Sequence, residues 1–244
     1  MKKYGLIGYP LTHSFSQKYF SDKFQREGID DCVYENFSLP VIDGLKDVLA
    51  DPQLRGLNVT IPYKEQVLPY LDAKNAVVEE IGACNCIRIE NGKRTGYNTD
   101  TIGFERSLLK KWGGGHTHAL VLGSGGAAKA VEYVLRKLKV RYHLVSRHPR
   151  PGTTDLSYVQ VDAALLQSHT LLVNTTPLGM YPNTEACPPL PYEAIGNGHY
   201  LYDLVYNPSR TLFLRKGEER GALVENGHEM LLIQAEESWR IWNG

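Results

Sequence analysis

The stretch from His118 to Leu138 constrains this chain more than any other. A short apolar run, His118–Leu122, ends in Gly123-Ser124-Gly125-Gly126-Ala127-Ala128. Ala127, Ala128, Val131, Val134, Leu135 and Leu138 then share one helical face. Strand, glycine turn and helix, in that order, open a parallel βαβ unit. Gly123 permits the tight turn, and Gly125 and Gly126 let the backbone come close to a pyrophosphate. The helix start adds unpaired N–H groups and partial positive charge. Gly123, Ser124, Gly125, Gly126 and Ala127 are therefore candidate dinucleotide contacts. A glycine turn without a ligand would leave the same local pattern, so the context decides.

That context is regular. Apolar runs at Tyr142–Ser146, Thr170–Asn174, Leu201–Tyr206 and Ala222–Val224 read as further strands of a doubly wound parallel sheet. The first hundred residues alternate as well. Strands are expected at Tyr4–Tyr9, Cys32–Leu39 and Leu57–Thr60, with Phe15, Tyr19, Phe20 and Phe24 at helical spacing and a second helix over Val41–Ala50. Cys84–Glu90 and Arg94–Asn98 flank the turn dipeptide Asn91-Gly92, which suits a hairpin. A helix is expected over Thr101–Lys111, and another over His228–Trp242 after Asn226-Gly227. Trp112-Gly113-Gly114-Gly115-His116 reads as a connector, since no helix follows it directly. The fold class expected is α/β with two domains.

At 244 residues the chain can bury a large core. It carries 27 basic and 27 acidic residues, so no bulk field points to nucleic acid or membrane as a partner. The start, Met-Lys-Lys-Tyr, runs into a strand rather than a long apolar leader, and a cytoplasmic location is expected. The four cysteines lack zinc-site spacing and no histidine pair has ligand spacing, so no metal is expected. Alternation would put Cys84 and Cys86 on one face of a strand, as packing residues.

The end of the second nucleotide-domain strand selects the ribose. An acidic residue there would bind both ribose hydroxyls of NAD. This chain has Ser146-Arg147-His148-Pro149-Arg150, with no carboxylate. A guanidinium pairs with a 2′-phosphate and stacks on adenine, which favours NADP with Ser146, Arg147 and Arg150 as candidate contacts. A solvated basic turn is the bland reading of the same residues.

Ahead of this loop lie two polar motifs, Asn58-Val59-Thr60-Ile61-Pro62-Tyr63-Lys64 and Asn98-Thr99-Asp100. Hydride transfer to a carbonyl needs one group that moves a proton and another that holds the reactant. Lys64 and Asp100 are the candidates. Taken alone, Lys64 could be a solvated charge, Asp100 the N-cap of a helix starting at Thr101, and Ser14 and Ser16 caps of the first helix. His13 reads as a structural hydrogen-bonding residue.

Together these motifs resemble the shikimate dehydrogenase family. His13-Ser14-Phe15-Ser16, Asn58–Lys64, Gly82-Ala83-Cys84-Asn85, Asn98–Asp100 and the glycine loop occur in family order. Thr175–Met180, Asp203–Pro208, and Asn226-Gly227 with Met230, Leu231 and Gln234-Ala235 extend the resemblance over nearly the whole chain. It implies an NADP-linked interconversion of 3-dehydroshikimate and shikimate in aromatic biosynthesis. It also implies a substrate-binding domain, residues 1–100 with 228–244, and an NADP domain, residues 101–227, with the C-terminal helix returning to the first. By resemblance, Ser14 and Ser16 meet the substrate carboxylate. Thr60, Asn85, Tyr206 and Gln234 meet its hydroxyls and ring, and Leu204 and Gly227 lie near the nicotinamide. The family's usual Asn-Arg-Thr turn is Ser146-Arg147-His148 here, which keeps the guanidinium and loses a hydroxyl. Arg150 could compensate, and His148 stands beside it. The chain is short for the family, so trimmed loops are expected in the nucleotide domain. The resemblance implies a small-molecule substrate and a monomer or homodimer. Three alternatives stay open: a dual quinate/shikimate dehydrogenase, a non-catalytic relative that binds cofactor or metabolite, and a nucleotide-domain relative with another substrate.

Overall fold

A computed structural model describes residues 1–11 and 14–244, so the reading of His13 lies outside the described residues. The chain divides into two compact units, one of residues 1–99 with 234–244 and one of residues 100–233.

The first unit is built on β1 (Lys2–Gly8), β2 (Cys32–Ser38), β3 (Leu54–Val59), β4 (Ala73–Lys74), β5 (Cys86–Glu90) and β6 (Lys93–Tyr97). They form one mixed sheet in the order β2-β1-β3-β5-β6-β4. β1 runs parallel to both β2 and β3, and β5 is antiparallel to β3 and β6. The β5–β6 hairpin turns on Asn91 (φ 51°) and Gly92 (φ 77°), the left-handed pair that a two-residue hairpin requires. Helices α1 (Phe15–Glu27), α2 (Leu45–Leu49) and α3 (Ala76–Ile81) complete the unit before the last strands. The helix expected over Val41–Ala50 is a 3₁₀ turn, Ile42–Gly44, followed by the short α2. No side chain caps either start, so neither extends.

Two cores cover the two faces of this sheet. Ile7, Leu57, Val59 and Cys84 lie in one, and Tyr4, Leu6, Phe20, Tyr34, Cys86 and Trp242 in the other. Cys84 and Cys86 thus pack on opposite faces, contrary to the alternation read from the sequence. The ladder of β5 begins only at Cys86, while the Cys84 and Asn85 amides turn aside to Lys64 O and Tyr97 O.

The chain passes into the second unit within α4 (Thr99–Lys110) and leaves it within α8 (His228–Asn243). Between them run β7 (His118–Leu122), α5 (Gly126–Lys137), β8 (Arg141–Ser146), β9 (Leu156–Ser157), α6 (Ala163–Ser168), β10 (Leu171–Asn174), β11 (Tyr200–Asp203), α7 (Leu212–Glu218) and β12 (Leu223–Glu225). The sheet order is β12-β11-β10-β7-β8-β9, and every pair is parallel. Counted from β7 this is the 3-2-1-4-5-6 order of dinucleotide-binding sheets, with the strand order reversing between β7 and β10. Ala119 and Val121 face one core with Val131 and Phe104, and Leu120 and Leu122 face the other with Leu166 and Phe213. Helices on both faces explain why these strands read as unbroken apolar runs.

Two expectations change here. The strand over Leu201–Tyr206 stops at Asp203, because that carboxylate turns the chain by accepting from Val205 N at 3.0 Å. β8 and β9 are joined by residues 147–155 without the usual crossover helix.

No helix among the described residues is long and apolar enough to cross a membrane.

Candidate active site

The candidate substrate residues of the first unit gather on four elements. Ser14 caps α1, its Oγ accepting from Gln17 N at 3.2 Å, and the hydroxyl proton stays available to an anion. Ser16 is buried in the first turn of the same helix. Thr60 follows β3 and is seated against the end of β1, where a Cβ on Gly8 would stand 2.4 Å from Thr60 Cγ2. Only glycine allows that approach. The turn carrying Lys64 is tied at both ends: Thr60 N donates to Ile7 O at 2.9 Å, and Cys84 N donates to Lys64 O at 2.8 Å. The Lys64 side chain is half-buried.

Asn85 is buried and its amide is engaged. Its Oδ1 accepts from Thr99 N at 2.6 Å, and its Nδ2 donates to Thr99 Oγ1 at 3.0 Å. Thr99 Oγ1 reaches Gln234 Oε1 at 3.4 Å and Ser238 Oγ at 3.2 Å. Asn58, the first residue of its motif, accepts from Tyr34 Oη at 2.8 Å and donates to Ser238 Oγ at 3.0 Å. Asn58, Asn85, Thr99 and Gln234 thus converge in one buried polar cluster. The sequence reading assigned no part to Tyr34 or Ser238. Ser238 lies one helical turn after Gln234, a spacing that could have pointed to it.

Asp100 begins the second unit, buried in the first turn of α4. The helix starts at Thr99, so Asp100 is not its N-cap, contrary to the alternative read from sequence. The Asn85–Thr99 bond draws the helix start back to residue 99. A carboxylate in the first turn is favoured by the helix dipole.

The glycine loop leaves the end of β7 at the point where the strand order reverses. Gly123 has φ 114°, and a Cβ there would stand 2.6 Å from Thr175 Oγ1. Thr175 and Thr176 begin the loop after β10, which is locked by Thr175 Oγ1 to Leu122 O at 2.8 Å and Thr176 Oγ1 to Asn174 Oδ1 at 2.6 Å. Gly125 caps α5 without any side-chain bond, and a Cβ there would meet nothing within 4 Å. Ser124 and Ala127 flank it in the same turn. This open cradle, with backbone donors at a helix start, fits a pyrophosphate. Ser146, at the end of β8, is buried and its Oγ has no hydrogen-bond partner among the described residues. An orphaned buried hydroxyl beside the cradle also fits a polar ligand.

Arg147 follows it and is exposed. Arg150 is placed differently from the expectation. Its Nε and Nη2 grip the Asp155 carboxylate at 2.6 and 3.0 Å, and Asp155 is only 5% exposed. The guanidinium holds that carboxyl below its usual range. A phosphate contact by Arg150 would compete with this bidentate pair.

Deeper in the second unit, Asp203 accepts from Asn174 Nδ2 at 2.9 Å and from Thr211 Oγ1 at 2.5 Å. Burial pushes its carboxyl up to about 6, against the pull of these two bonds and the one from Val205 N. The residues after it carry Leu204 and Tyr206. A Cβ on Gly227 would stand 2.1 Å from Leu204 O, so only glycine lets these two segments meet. Tyr206 lines a cavity of about 360 Å³ with Ser209, Glu225, Asn226, His228 and Glu229. A larger cavity of about 570 Å³ in the first unit is walled by Arg55, Arg88, Arg94 and Trp242 and contains none of the candidate residues.

Comparison with known proteins adds to this geometry. Residues 6–87 match the family model described as the shikimate dehydrogenase substrate binding domain. The chain is 36% identical to a shikimate dehydrogenase (NADP(+)) of Methanococcus maripaludis, over 100% of this chain and 92% of that protein. The shikimate dehydrogenase of Aquifex aeolicus superposes with a TM-score of 0.89 at 34% identity, covering 100% of this chain and 93% of the other. That of Thermus thermophilus, solved in complex with NADP(H) and shikimate, gives 0.87 at 31%, covering 100% and 94%.

Proposed function

The chain belongs to the shikimate dehydrogenase family, and from that premise we propose how its own residues carry out an NADP-dependent oxidoreduction between shikimate and 3-dehydroshikimate. The observation that carries the reading is the buried cluster in which Ser238 joins Asn58 of the Lys64 motif and Thr99 of the Asp100 motif to the helix of Gln234, with Asn85 bonded to Thr99. Residues 1–100 with 228–244 act as the substrate domain and residues 101–227 as the NADP domain, a division that follows the two compact units to within a few residues.

The Ser14 hydroxyl donates to the ring carboxylate, and the Ser16 hydroxyl, which bonds Tyr34 in the free protein, turns to the carboxylate when substrate binds. Thr60, Asn85, Tyr206 and Gln234 bond the ring hydroxyls, and an amide left unpaired by an analogue lacking one costs about 1–3 kcal/mol. Bound NADP supplies or accepts the hydride. Lys64 takes the hydroxyl proton in oxidation and returns it to the forming alkoxide in reduction. Asp100 holds the substrate by a hydrogen bond from the reacting end. The loop from Gly123 to Ala127 would hold the pyrophosphate through its backbone N–H groups. Ser146 donates its orphaned hydroxyl to the adenosine side, and Arg147 pairs with the 2′-phosphate. Arg150 supports the turn through Asp155. Leu204 and Gly227 would lie near the nicotinamide. The protein acts in the cytoplasm on a small-molecule substrate, as a monomer or homodimer.

The test is NADPH or NADH formation, followed by absorbance, with shikimate or quinate paired with NADP or NAD. Shikimate with NADP should give the highest kcat/KM of the four. No turnover of shikimate, or faster turnover of quinate with NAD, would overturn the reading.

A further inference from the structure

The polar cluster of the first unit extends beyond the residues that would touch substrate. Tyr34 is buried on β2, and its ring stacks on Phe20 of α1 at 4.6 Å between centroids. Its hydroxyl donates to Asn58 Oδ1 at 2.8 Å. Burial raises its pKa well above that of an ordinary tyrosine, and a hydrogen bond with Ser16 offsets part of that rise. Asn58 Nδ2 donates to Ser238 Oγ at 3.0 Å, and Ser238 Oγ donates to the Gln234 carbonyl at 2.8 Å. Thr99 Oγ1 lies 3.2 Å from the same Ser238 oxygen and accepts from Asn85 Nδ2. One proton assignment serves the members that meet at Ser238. Tyr34 donates to Asn58, and Asn58 and Thr99 donate to the two lone pairs of Ser238. Ser238 donates to Gln234 O, and Asn85 donates to Thr99.

We propose that Tyr34 and Ser238 are positioning residues for the substrate. Through Asn58 and Thr99 they set the helix that carries Ser16, the loop that carries Asn85 and the helix that carries Gln234 into a single register. This rests on the reading above that those three residues meet shikimate. The physical reason is the environment. Ser238 is 0% exposed, so removing its hydroxyl takes the best acceptor from the Asn58 amide and leaves it Asn85 O at 3.4 Å, while Thr99 Oγ1 is left to Asn85 Oδ1 at 3.2 Å and Gln234 Oε1 at 3.4 Å. As the two groups shift toward those longer contacts they re-aim their own elements, and the effect falls on shikimate rather than on the cofactor.

The experiment is steady-state kinetics on the full chain with Tyr34→Phe, Ser238→Ala and the double variant, each with a thermal melt. Tyr34→Phe keeps the ring and its stacking, so it remains informative should Ser238→Ala fail to fold. The KM for shikimate should rise about 5- to 20-fold in each single variant, as the loss of one buried hydrogen bond implies. The KM for NADP should stay within about twofold. The double variant should fall short of the product of the singles, because both act through Asn58. Variants that melt lower but keep the KM for shikimate, or fail to fold altogether, would reduce the two residues to scaffolding and overturn the proposal. Both KM values rising in parallel would overturn it as well. A wild-type protein that does not oxidise shikimate removes the functional reading and this proposal with it; an active one with unmoved KM values removes only the proposal.

Discussion

The two units prepare for their ligands by opposite means. The first relies on side chains. Asn58, Asn85, Thr99, Gln234 and Ser238 are buried polar residues that satisfy one another, and the surfaces they steer carry the hydroxyls, amides and ammonium of the candidate site. The second relies on backbone. Gly123, Gly125 and Gly227 are glycines where a Cβ would collide or would fill the cradle, and the donors are main-chain N–H groups at the start of α5. A polyhydroxylated ring needs many directed bonds at fixed angles. A pyrophosphate needs close approach and a field of positive sign. The contrast predicts that substitutions in the first unit alter substrate use, and that substitutions near the glycine loop alter cofactor use.

The largest effect that sharpens this contrast is on stability. Trp242 stacks on Tyr4 at 4.9 Å, bonds Ile87 O at 3.0 Å, and covers Gly56 so closely that a Cβ would stand 2.3 Å from its Nε1. Trp242→Ala should cost about 3–5 kcal/mol in chemical denaturation. A loss under about 1 kcal/mol would mean that this face of the sheet is not the core it is drawn to be.

Next comes Arg147→Ala, which should weaken NADP by about 10- to 100-fold in a binding titration while NAD changes little. Equal loss for both cofactors would show that the 2′-phosphate is read elsewhere. Arg150→Ala should move the two cofactors together and by less, since its partner is Asp155.

A smaller effect separates the units by pH. Asp203 has its carboxyl raised to about 6, above the 3.8 of an ordinary aspartate. The folded state therefore holds a proton that the unfolded chain has released, and stability falls as pH rises between those values. The contribution is on the order of 2–3 kcal/mol across that window and levels off above it. Asp203→Asn should flatten the slope of unfolding free energy between pH 4 and 6 relative to wild type. An unchanged slope would assign the proton uptake to other groups.

Much of this architecture was legible in the chain, and the exceptions share a cause. The glycine loop, the hairpin at Asn91-Gly92 and the long strand–helix alternation depend on neighbours in sequence, so local patterns reveal them. The two-residue strands β4 and β9 exist only through pairing with β6 and β8, and no local pattern announces them. Cys84 and Cys86 broke the alternation rule because a tertiary hydrogen bond to Lys64 O delays the start of β5. The start of α4 moved for the same kind of reason, with Asn85 supplying the partner for Thr99 N across 14 residues. In the site, Lys64, Asp100 and the glycine loop stood out by residue type and family order. Tyr34 and Ser238 did not, because an aromatic on a strand and a serine in a helix are ordinary until the fold brings them to Asn58. The pairing of Arg150 with Asp155 was not legible, because its carboxylate partner sits in the same turn with no sequence pattern to mark the pair.

The most direct measurement is Lys64→Ala, with kcat for shikimate oxidation and the NADP dissociation constant taken on the same preparation. Division of labour between the units predicts a fall in kcat of about 10²- to 10⁴-fold with NADP affinity within about twofold of wild type. Turnover near that of wild type, or a matching collapse of NADP binding, would contradict it.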